Sequence, residues 1–190
     1  MILKDGMILY HGSYADIKKI DLSLCDRTKD FGQGFYLTSS KKQAISFIKT
    51  SLAKARSNGK APENQTYGYV TAFKVNLSND INYYEFETTN KDWLYYISIN
   101  RRKYLSEQFR QLLSQDYDKY ELLVGRIAND DTNMTLNNFL AGAFGDVTSE
   151  QSIAIVRQLL KPERLENQFC FKSEKVINML ERIGSEKYEI

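Results

Sequence analysis

Two short segments of the chain combine residue types that can hold a flat ligand and a sugar. The first is His11-Gly12-Ser13, with the only histidine among the 190 residues. The second is Asp30-Phe31-Gly32-Gln33-Gly34-Phe35-Tyr36, in which two glycines precede an aromatic pair. An imidazole offers a donor and an acceptor to a ribose hydroxyl, a glycine lets its backbone approach a planar amide, and a tyrosine ring can stack on another ring. These types favour a pocket for nicotinamide and its ribose.

Each segment also has a purely structural interpretation. His11 and Gly12 fit a strand that ends in a turn, and the second segment fits a tight turn that leads into a strand with core aromatics. That segment lacks the third glycine and the strand–helix–strand context of a dinucleotide fingerprint. No Gly-Lys-Ser/Thr follows it, as a phosphate-binding loop would require. Rossmann and P-loop sites are therefore disfavoured.

Composition limits the class of protein. The 26 basic and 24 acidic residues give a net charge of +2, which disfavours a nucleic-acid substrate. Cys25 and Cys170 fit no metal-ligand spacing, so we expect no metal site. No apolar run approaches the roughly 18 residues of a membrane span, and the first residues lack a signal-peptide pattern, so we expect a cytoplasmic protein without membrane contact. The length predicts a single domain over residues 1–190.

Hydrophobic periodicity predicts the elements that position the two segments. Alternation predicts strands at Met7–His11 and Gly34–Thr38. Ser40, with Gln43 three residues later, predicts the start of a helix. Further strands are predicted from Tyr69 to about Asn79, at 120–127 and at 167–172, and further helices at 92–113 and after Thr135, Ser149 and Ser173, the last one carrying Val176, Ile177 and Leu180.

The order of these motifs resembles the ADP-ribosyltransferases of the diphtheria-toxin and poly-ADP-ribose-polymerase type, a class named for a His, Tyr, Glu triad. Leu9-Tyr10-His11-Gly12-Ser13 and Gly32-Gln33-Gly34-Phe35-Tyr36-Leu37-Thr38 resemble its first two motifs. From about Leu9 to the final predicted helix, the chain resembles still more closely a bacterial family of unknown function in that superfamily, DUF3990. The residues that carry this second resemblance are Asp30-Phe31-Gly32, Trp93, Asn100-Arg101, Val124-Gly125 to Asp130, and Gln168-Phe169-Cys170-Phe171-Lys172.

The resemblance implies a fold and an activity. The fold would be α+β, a split β-sandwich of two small, mostly antiparallel sheets with helices around them, and NAD would bind between the sheets as a co-substrate. The activity would be mono-ADP-ribosyl transfer to a protein, nucleic-acid or small-molecule acceptor, without a metal. A toxin or phage-defence effector, with an antitoxin or regulatory protein as partner, would fit this class.

The resemblance also implies roles for individual residues. His11 would bind the ribose of NAD, the Gly12 backbone would hold the nicotinamide carboxamide, and Tyr36 would stack on the nicotinamide ring. Ser13, Gly34 and Phe35 belong to the same cofactor-binding segments. The third position of the triad falls on Gln168, where the class has glutamate.

Glutamine at the third position leaves alternatives open. Because Gln168 can donate and accept hydrogen bonds but carries no charge, its contribution to a cationic transition state should be smaller than that of a glutamate. Glu166, Glu174 and Asp30 are the nearby carboxylates in the sequence or motif, although Asp30 is expected to brace the glycine turn. An equally acceptable interpretation makes Gln168 a polar residue on the open face of a strand.

Two further interpretations concern Arg101 and the function as a whole. Asn100 and Arg101 could reach the pyrophosphate of NAD, but Arg102 and Lys103 beside them favour a solvated helix face. Besides the transferase, the sequence is compatible with a relative that only binds or hydrolyses NAD, and with a non-catalytic interaction module. Release of nicotinamide and labelling of an acceptor would distinguish the three.

Overall fold

The computed structural model describes residues 3–101, 109–127, 132–160 and 166–190. Its strands are β1 (Ile8–Ser13), β2 (Phe35–Thr38), β3 (Tyr67–Val75), β4 (Tyr83–Glu85), β5 (Leu122–Arg126), β6 (Asn167–Phe171) and β7 (Leu180–Glu189). Its helices are α1 (Lys41–Ser57), α2 (Lys91–Arg101), α3 (Thr132–Leu140), α4 (Glu150–Leu160) and α5 (Glu174–Ile177). The class is therefore α+β, as the sequence predicts. Asp130 and the predicted helical residues 102–108 lie outside the described residues.

The strands form one seven-stranded mixed sheet in the order β4-β5-β6-β2-β1-β3-β7. The structure does not show the two separate facing sheets that the resemblance implies. The pairing at the centre of the sheet is nevertheless short. Strand β1 pairs with β2 only at Tyr10 and Thr38, whereas it pairs with β3 along its whole length. Past Tyr10 the two central strands separate, and the residues of both candidate segments border the gap.

Strand alternation divides the side chains between the two faces of the sheet. On one face Phe35, Leu37, Phe169 and Phe171 pack together and against α5. On the other face Cys170 and Leu123 pack against α2, α3 and α4. Gln168 shares the face of Cys170 and is opposite to Phe169 and Phe171, as predicted from the period of two residues per strand repeat.

Helix α1 begins where the sequence predicts, and for the predicted reason. The Ser40 side chain accepts a hydrogen bond from the backbone N–H of Gln43 at 3.3 Å, which caps the helix. The Gln43 side chain does not return to Ser40; its oxygen instead accepts from the Thr38 hydroxyl at 2.7 Å. Ala44, Ile48 and Leu52 of this helix are buried and Ile45 is half-buried, and Ala44 and Ile48 pack together with Val70 of β3.

The prediction for the final helix is wrong. The final helix ends at Ile177, and Leu180 begins the long edge strand β7, which pairs with β3. Strand β4 was also not predicted, because three residues are too few to display a period. Helix α2 begins near the predicted position, and α3 starts before the predicted Thr135 cap. No helix among the described residues is long and apolar enough to cross a membrane.

Candidate functional site

Three neighbouring strands bring the predicted site residues to the central junction of the sheet. Tyr10 of β1 is paired with Thr38 of β2, and Thr38 is paired with Gln168 of β6. Because adjacent strands are about 4.8 Å apart, this row spans about 10 Å. His11 follows Tyr10 directly, and Tyr36 is two residues from Thr38. Sequence positions that are far apart are therefore collected at the point where β1 and β2 separate.

His11 bridges the gap between the two strands. Its Nδ1 is 2.8 Å from the main-chain oxygen of Tyr36, so Nδ1 carries the proton and Nε2 is the acceptor in the neutral ring. The imidazole stacks on the Phe35 ring at a centroid distance of 4.5 Å. The Phe35 and Tyr36 side chains lie on opposite faces of β2, so His11 contacts the Tyr36 backbone rather than its ring. Nε2 has no recorded hydrogen bond to the described residues.

Burial sets the charge state of His11. It lowers the pKa of His11 from the ordinary value of 6.5, and the nearby Lys29 ammonium adds a smaller lowering. Because the hydrogen bond from the ring to the Tyr36 carbonyl acts in the opposite direction without overcoming burial, the ring is neutral at pH 7. A neutral imidazole with a free acceptor nitrogen can receive a hydrogen bond from a hydroxyl group.

We expect this half-buried histidine to make the free energy of unfolding fall as the pH falls below about 6.5. The unfolded chain takes up a proton on His11 there while the folded chain does not, so the unfolded state binds more protons and is favoured. In denaturant unfolding of the wild type between pH 7 and 5.5, this group should lower the free energy of unfolding by up to about 1.4 kcal/mol per pH unit. His11→Gln should remove that part of the slope. An identical slope in both proteins would contradict the assignment.

Gly12 and Ser13 have structural tasks that the sequence did not indicate. A Cβ at Gly12 would lie 1.8 Å from the carbonyl oxygen of Ala44, so the backbone of β1 lies directly against α1. Ser13 is buried, and its hydroxyl accepts the N–H of Ala15 at 3.3 Å. The turn glycine of the structural interpretation is therefore a packing glycine within β1. Whether the Gly12 backbone also binds a carboxamide remains a hypothesis.

Tyr36 is half-buried, and its hydroxyl holds the glycine segment in place. The hydroxyl donates to the main-chain oxygen of Gly32 at 2.7 Å and accepts from the N–H of Phe31 at 2.9 Å. Burial raises the pKa of Tyr36 well above its ordinary value, so it remains a donor. A ligand that stacks on this ring would therefore contact a side chain whose position is already fixed.

The second glycine segment is also shaped by close packing. Gly32 has a φ of 79°, a conformation that favours glycine. A Cβ at Gly34 would lie 2.5 Å from Sγ of Cys170 and 2.9 Å from the carbonyl oxygen of Phe171. Phe35 is a core residue, as the structural interpretation proposed. The two glycines thus allow the segment to turn and β2 to pass close to β6.

Gln168 has a specific carboxylate partner. The side chain is buried, and Nε2 donates to Oδ2 of Asp30 at 2.6 Å and to the main-chain oxygen of Arg126 at 3.2 Å. Gln168 is therefore not a polar residue on an open strand face. Glu166 is exposed, and Glu174 is an exposed residue of α5 beyond the opposite end of β6. Of the carboxylates considered, Asp30 is the one that contacts Gln168.

Arg101 and Asn100 fix Asp30 from the other side. Oδ1 of Asp30 is 2.6 Å from Nε and 2.6 Å from a terminal nitrogen of Arg101. Asn100 Nδ2 donates to the main-chain oxygen of Asp30 at 3.1 Å. The expectation that Arg101 lies on a solvated face is wrong, because only 14% of its side chain is exposed. The Asp30 carboxylate thus contacts Arg101 and Gln168, which are far from its own turn in the sequence.

Lys29 is a second half-buried cation in this loop. Its ammonium lies 5.1 Å from the centre of the Phe47 ring. Burial lowers the pKa of Lys29, and the like charge of Lys54 adds to the lowering. Lys54 is ion-paired with Asp26, but no ion pair of Lys29 is recorded with a described residue.

Within the described ranges, no three His, Cys, Asp or Glu side chains form a group that could hold a metal ion.

The fold and this site define an α+β protein with a mixed sheet, whose central strands separate over a buried polar cluster. Comparison with protein families then identifies the family. The family model described as "Protein of unknown function (DUF3990)" matches residues 7–182, so the chain belongs to the DUF3990 family. A search among curated proteins finds no match.

Sequence reasoning missed the polar cluster itself. Asp30 and Gln168 are 138 residues apart, and Asp30 and Arg101 are 71 residues apart. The available signals were a buried-strand pattern around an isolated glutamine and an aspartate placed before a glycine turn. These local patterns do not connect the residues, and only the folded sheet brings them into contact.

Proposed function

We propose that this protein is an NAD-dependent mono-ADP-ribosyltransferase whose site lies where β1 and β2 separate. The observation that carries the proposal is that the strands bearing His11, Tyr36 and Gln168 meet at one sheet junction, with His11 beside Phe35 on one face of the sheet and Tyr36 and Gln168 on the other. The narrow pairing between β1 and β2 is compatible with a split sandwich in which each half of the sheet forms one wall of a cleft.

The unpartnered acceptors of the site fit the sugar of NAD. Nε2 of His11 and Oε1 of Gln168 accept no recorded hydrogen bond from the described residues. Ribose hydroxyls are donors that would satisfy both atoms. The Tyr36 ring would pack against the nicotinamide, and the ammonium of Lys29 would lie near the negative pyrophosphate.

In the proposed reaction, the bond between the ribose C1′ and the nicotinamide nitrogen breaks. The bonding electrons leave with nicotinamide, which becomes neutral, while positive charge develops on the sugar. An acceptor oxygen or nitrogen then bonds to C1′ and loses its proton to solvent or to a basic group. His11 and Gln168 would orient the sugar, and their hydrogen-bond acceptor atoms, Nε2 and Oε1, would stabilise its developing charge.

One observation favours the second candidate function, NAD hydrolysis or binding without transfer. The third position of the triad holds a neutral amide rather than a carboxylate, so less charge is available to activate an acceptor nucleophile. Water would then take the place of the acceptor in the same bond cleavage. Adenine-labelled NAD would distinguish the two, since transfer leaves the label on a macromolecule or small acceptor and hydrolysis yields free ADP-ribose.

We expect NAD to bind and to stabilise the folded chain. At 100 times the dissociation constant, NAD should add about 2.7 kcal/mol, which raises the melting temperature by roughly 5–11 °C for a chain of this size. Nicotinamide should compete in calorimetry, whereas nicotinic acid should compete poorly, because its carboxylate replaces the amide that the Gly12 backbone would bind. Absence of heat, thermal shift and nicotinamide release at millimolar NAD would refute the proposal and favour an interaction module.

A further inference from the structure

A buried group of polar side chains connects the glycine segment with β6 and α2. We call it the Asp30 cluster: Asp30, Arg101, Gln168 and the main-chain carbonyl of Arg126. Asp30 is 3% exposed and Gln168 is 6% exposed, so the hydrogen bonds between them are largely shielded from water. Hydrogen bonds in such a low-dielectric environment strengthen one another.

The cluster determines which way the Gln168 amide points. Its Nε2 faces Oδ2 of Asp30 at 2.6 Å and the Arg126 carbonyl at 3.2 Å. Both neighbours are acceptors, because Arg101 is bound to the other oxygen of the Asp30 carboxylate. Exchange of the amide nitrogen and oxygen would place one oxygen against two others. The network therefore assigns Nε2 to the cluster and Oε1 to the opposite side.

Oε1 of Gln168 is available to a ligand. It accepts no recorded hydrogen bond from the described residues. It is also not one of the fully enclosed unsatisfied side-chain atoms of those residues, which are Nε of Arg56, Oγ1 of Thr71 and Oδ1 of Asp92. An acceptor that is polarised by a carboxylate on the other end of its amide carries more negative charge than an isolated amide oxygen.

We propose that Asp30 is the positioning residue of this site: paired with Arg101, it orients and polarises the Gln168 amide so that Oε1 receives a ribose hydroxyl. This inference rests on the proposed function. It explains how a neutral glutamine serves at a position where a carboxylate is expected. The negative charge is present, one hydrogen bond further from the ligand, and Arg101 keeps it in the buried cluster.

The same geometry explains why glutamate alone is a poor replacement. Gln168→Glu would put a carboxylate oxygen where Nε2 is, 2.6 Å from Oδ2 of Asp30. Two carboxylates at this separation cannot both remain ionised, so one of them retains a proton. Adding Asp30→Asn would restore a donor between the two side chains. The oxygen of the introduced amide would face Arg101, and its NH2 group would face the introduced carboxylate.

Three variants test the inference: Asp30→Asn, Gln168→Glu and the double variant with both changes. In Asp30→Asn, the new amide oxygen is held by Arg101 and the NH2 group opposes Nε2 of Gln168, so the Gln168 amide loses its defined orientation. Nicotinamide release should fall at least 30-fold in this variant, with the KM for NAD within threefold of wild type. The double variant should recover at least one third of the wild-type rate.

Stability provides a readout that does not require NAD. In Gln168→Glu the folded state holds a proton that the unfolded state releases above about pH 4, so the folded state binds more protons and stability falls as the pH rises. The deficit in melting temperature relative to wild type at the same pH should therefore be larger at pH 8 than at pH 5. This dependence should disappear in the double variant.

The other titratable groups near Asp30 do not produce this effect. Burial raises the pKa of Tyr36 and raises the pKa of Cys170 to about 12, so both stay neutral between pH 5 and 8. His11 titrates in the same range, but it does so in wild type and in every variant, so it cancels in the comparison. Within the part of the chain that the structure describes, charged neighbours also include the cations Arg101 of α2 and Lys29 of the same loop.

Each outcome decides the inference. The inference is overturned if Asp30→Asn releases nicotinamide at a rate within threefold of wild type. It is also overturned if the double variant fails to fold or is no faster than either single variant. A third contrary result is a deficit in the melting temperature of Gln168→Glu that is equal at pH 5 and pH 8. Wild type without NAD binding or nicotinamide release would refute the proposed function alone, because the pH series still measures the coupling between positions 30 and 168. An active wild type without that coupling would refute this inference alone.

Discussion

Gly12→Ala should destabilise the protein by about 3 kcal/mol or more, the upper range for overpacking in a protein interior. The new methyl group would lie 1.8 Å from the carbonyl oxygen and 2.8 Å from the carbonyl carbon of Ala44. Both atoms belong to the backbone of α1, so no side-chain rotation can relieve the overlap. Relief requires the helix to move away from β1. The expected loss corresponds to a decrease in melting temperature of roughly 6–12 °C.

Gly184→Ala is the matched control, because Gly184 also lies in a strand of the same sheet. A Cβ at this position would meet no heavy atom within 4 Å. We expect the change in stability to stay within about 0.5 kcal/mol. Equal melting temperatures for the Gly12→Ala and Gly184→Ala variants would show that α1 is not held against β1 as the structure indicates.

Gly12→Ala would disturb the packing of β1 as well as any ligand contact made by the Gly12 backbone. A loss of NAD binding in Gly12→Ala would not demonstrate contact with the nicotinamide carboxamide, because the displacement of α1 disturbs β1 as a whole. The comparison of nicotinamide with nicotinic acid in the wild-type chain addresses that contact without altering the packing.

Gln168→Ala should lower the rate of nicotinamide release by about 100-fold, a typical effect of losing one preoriented group at a site of developing charge. The KM for NAD should change much less, because the interaction with the ribose strengthens as the sugar becomes cationic. Initial rates over a range of NAD concentrations separate the two parameters. A rise in KM with an unchanged kcat would indicate that Gln168 contributes only to ground-state binding.

Gln65→Ala provides a control for the general cost of losing a glutamine. Nε2 of Gln65 donates to the main-chain oxygens of Tyr14 and Tyr67, at 2.7 and 2.8 Å, so this side chain also makes two hydrogen bonds. It contacts neither Asp30 nor Gln168. We expect a similar decrease in melting temperature in the two variants, but a loss of rate only in Gln168→Ala. An equal loss of rate in both would mean that the effect is structural.

Local patterns in the sequence were sufficient for the elements that carry the site. Period-two alternation placed β1, β2 and β6 within one or two residues of their observed bounds and assigned Gln168 to the face opposite Phe169 and Phe171. The Ser40 cap located the start of α1. These features depend on a few neighbouring residues, so a single sequence contains the information that determines them.

The same local patterns did not predict strand β7 at the end of the chain, because that strand depends on long-range pairing with β3. Strand β7 lies at the edge of the sheet, and its register against β3 shifts between Ala72 and Phe73. The shift interrupts the alternation of buried and exposed positions. Because Val176 and Ile177 continue the spacing of a helix into Leu180, the local pattern favoured a longer helix than the three-dimensional structure contains.

The sequence by itself determined the strands that border the candidate site, the face on which Gln168 lies and the presence of a lone histidine beside a glycine. Only the tertiary structure decided that the strands form one sheet, that Gly12 is required by α1, and that Arg101 and Asp30 enclose Gln168. The physical reason is distance along the chain. Periodicity records which side of an element is buried, whereas the partner of a buried polar atom depends on which elements pack together.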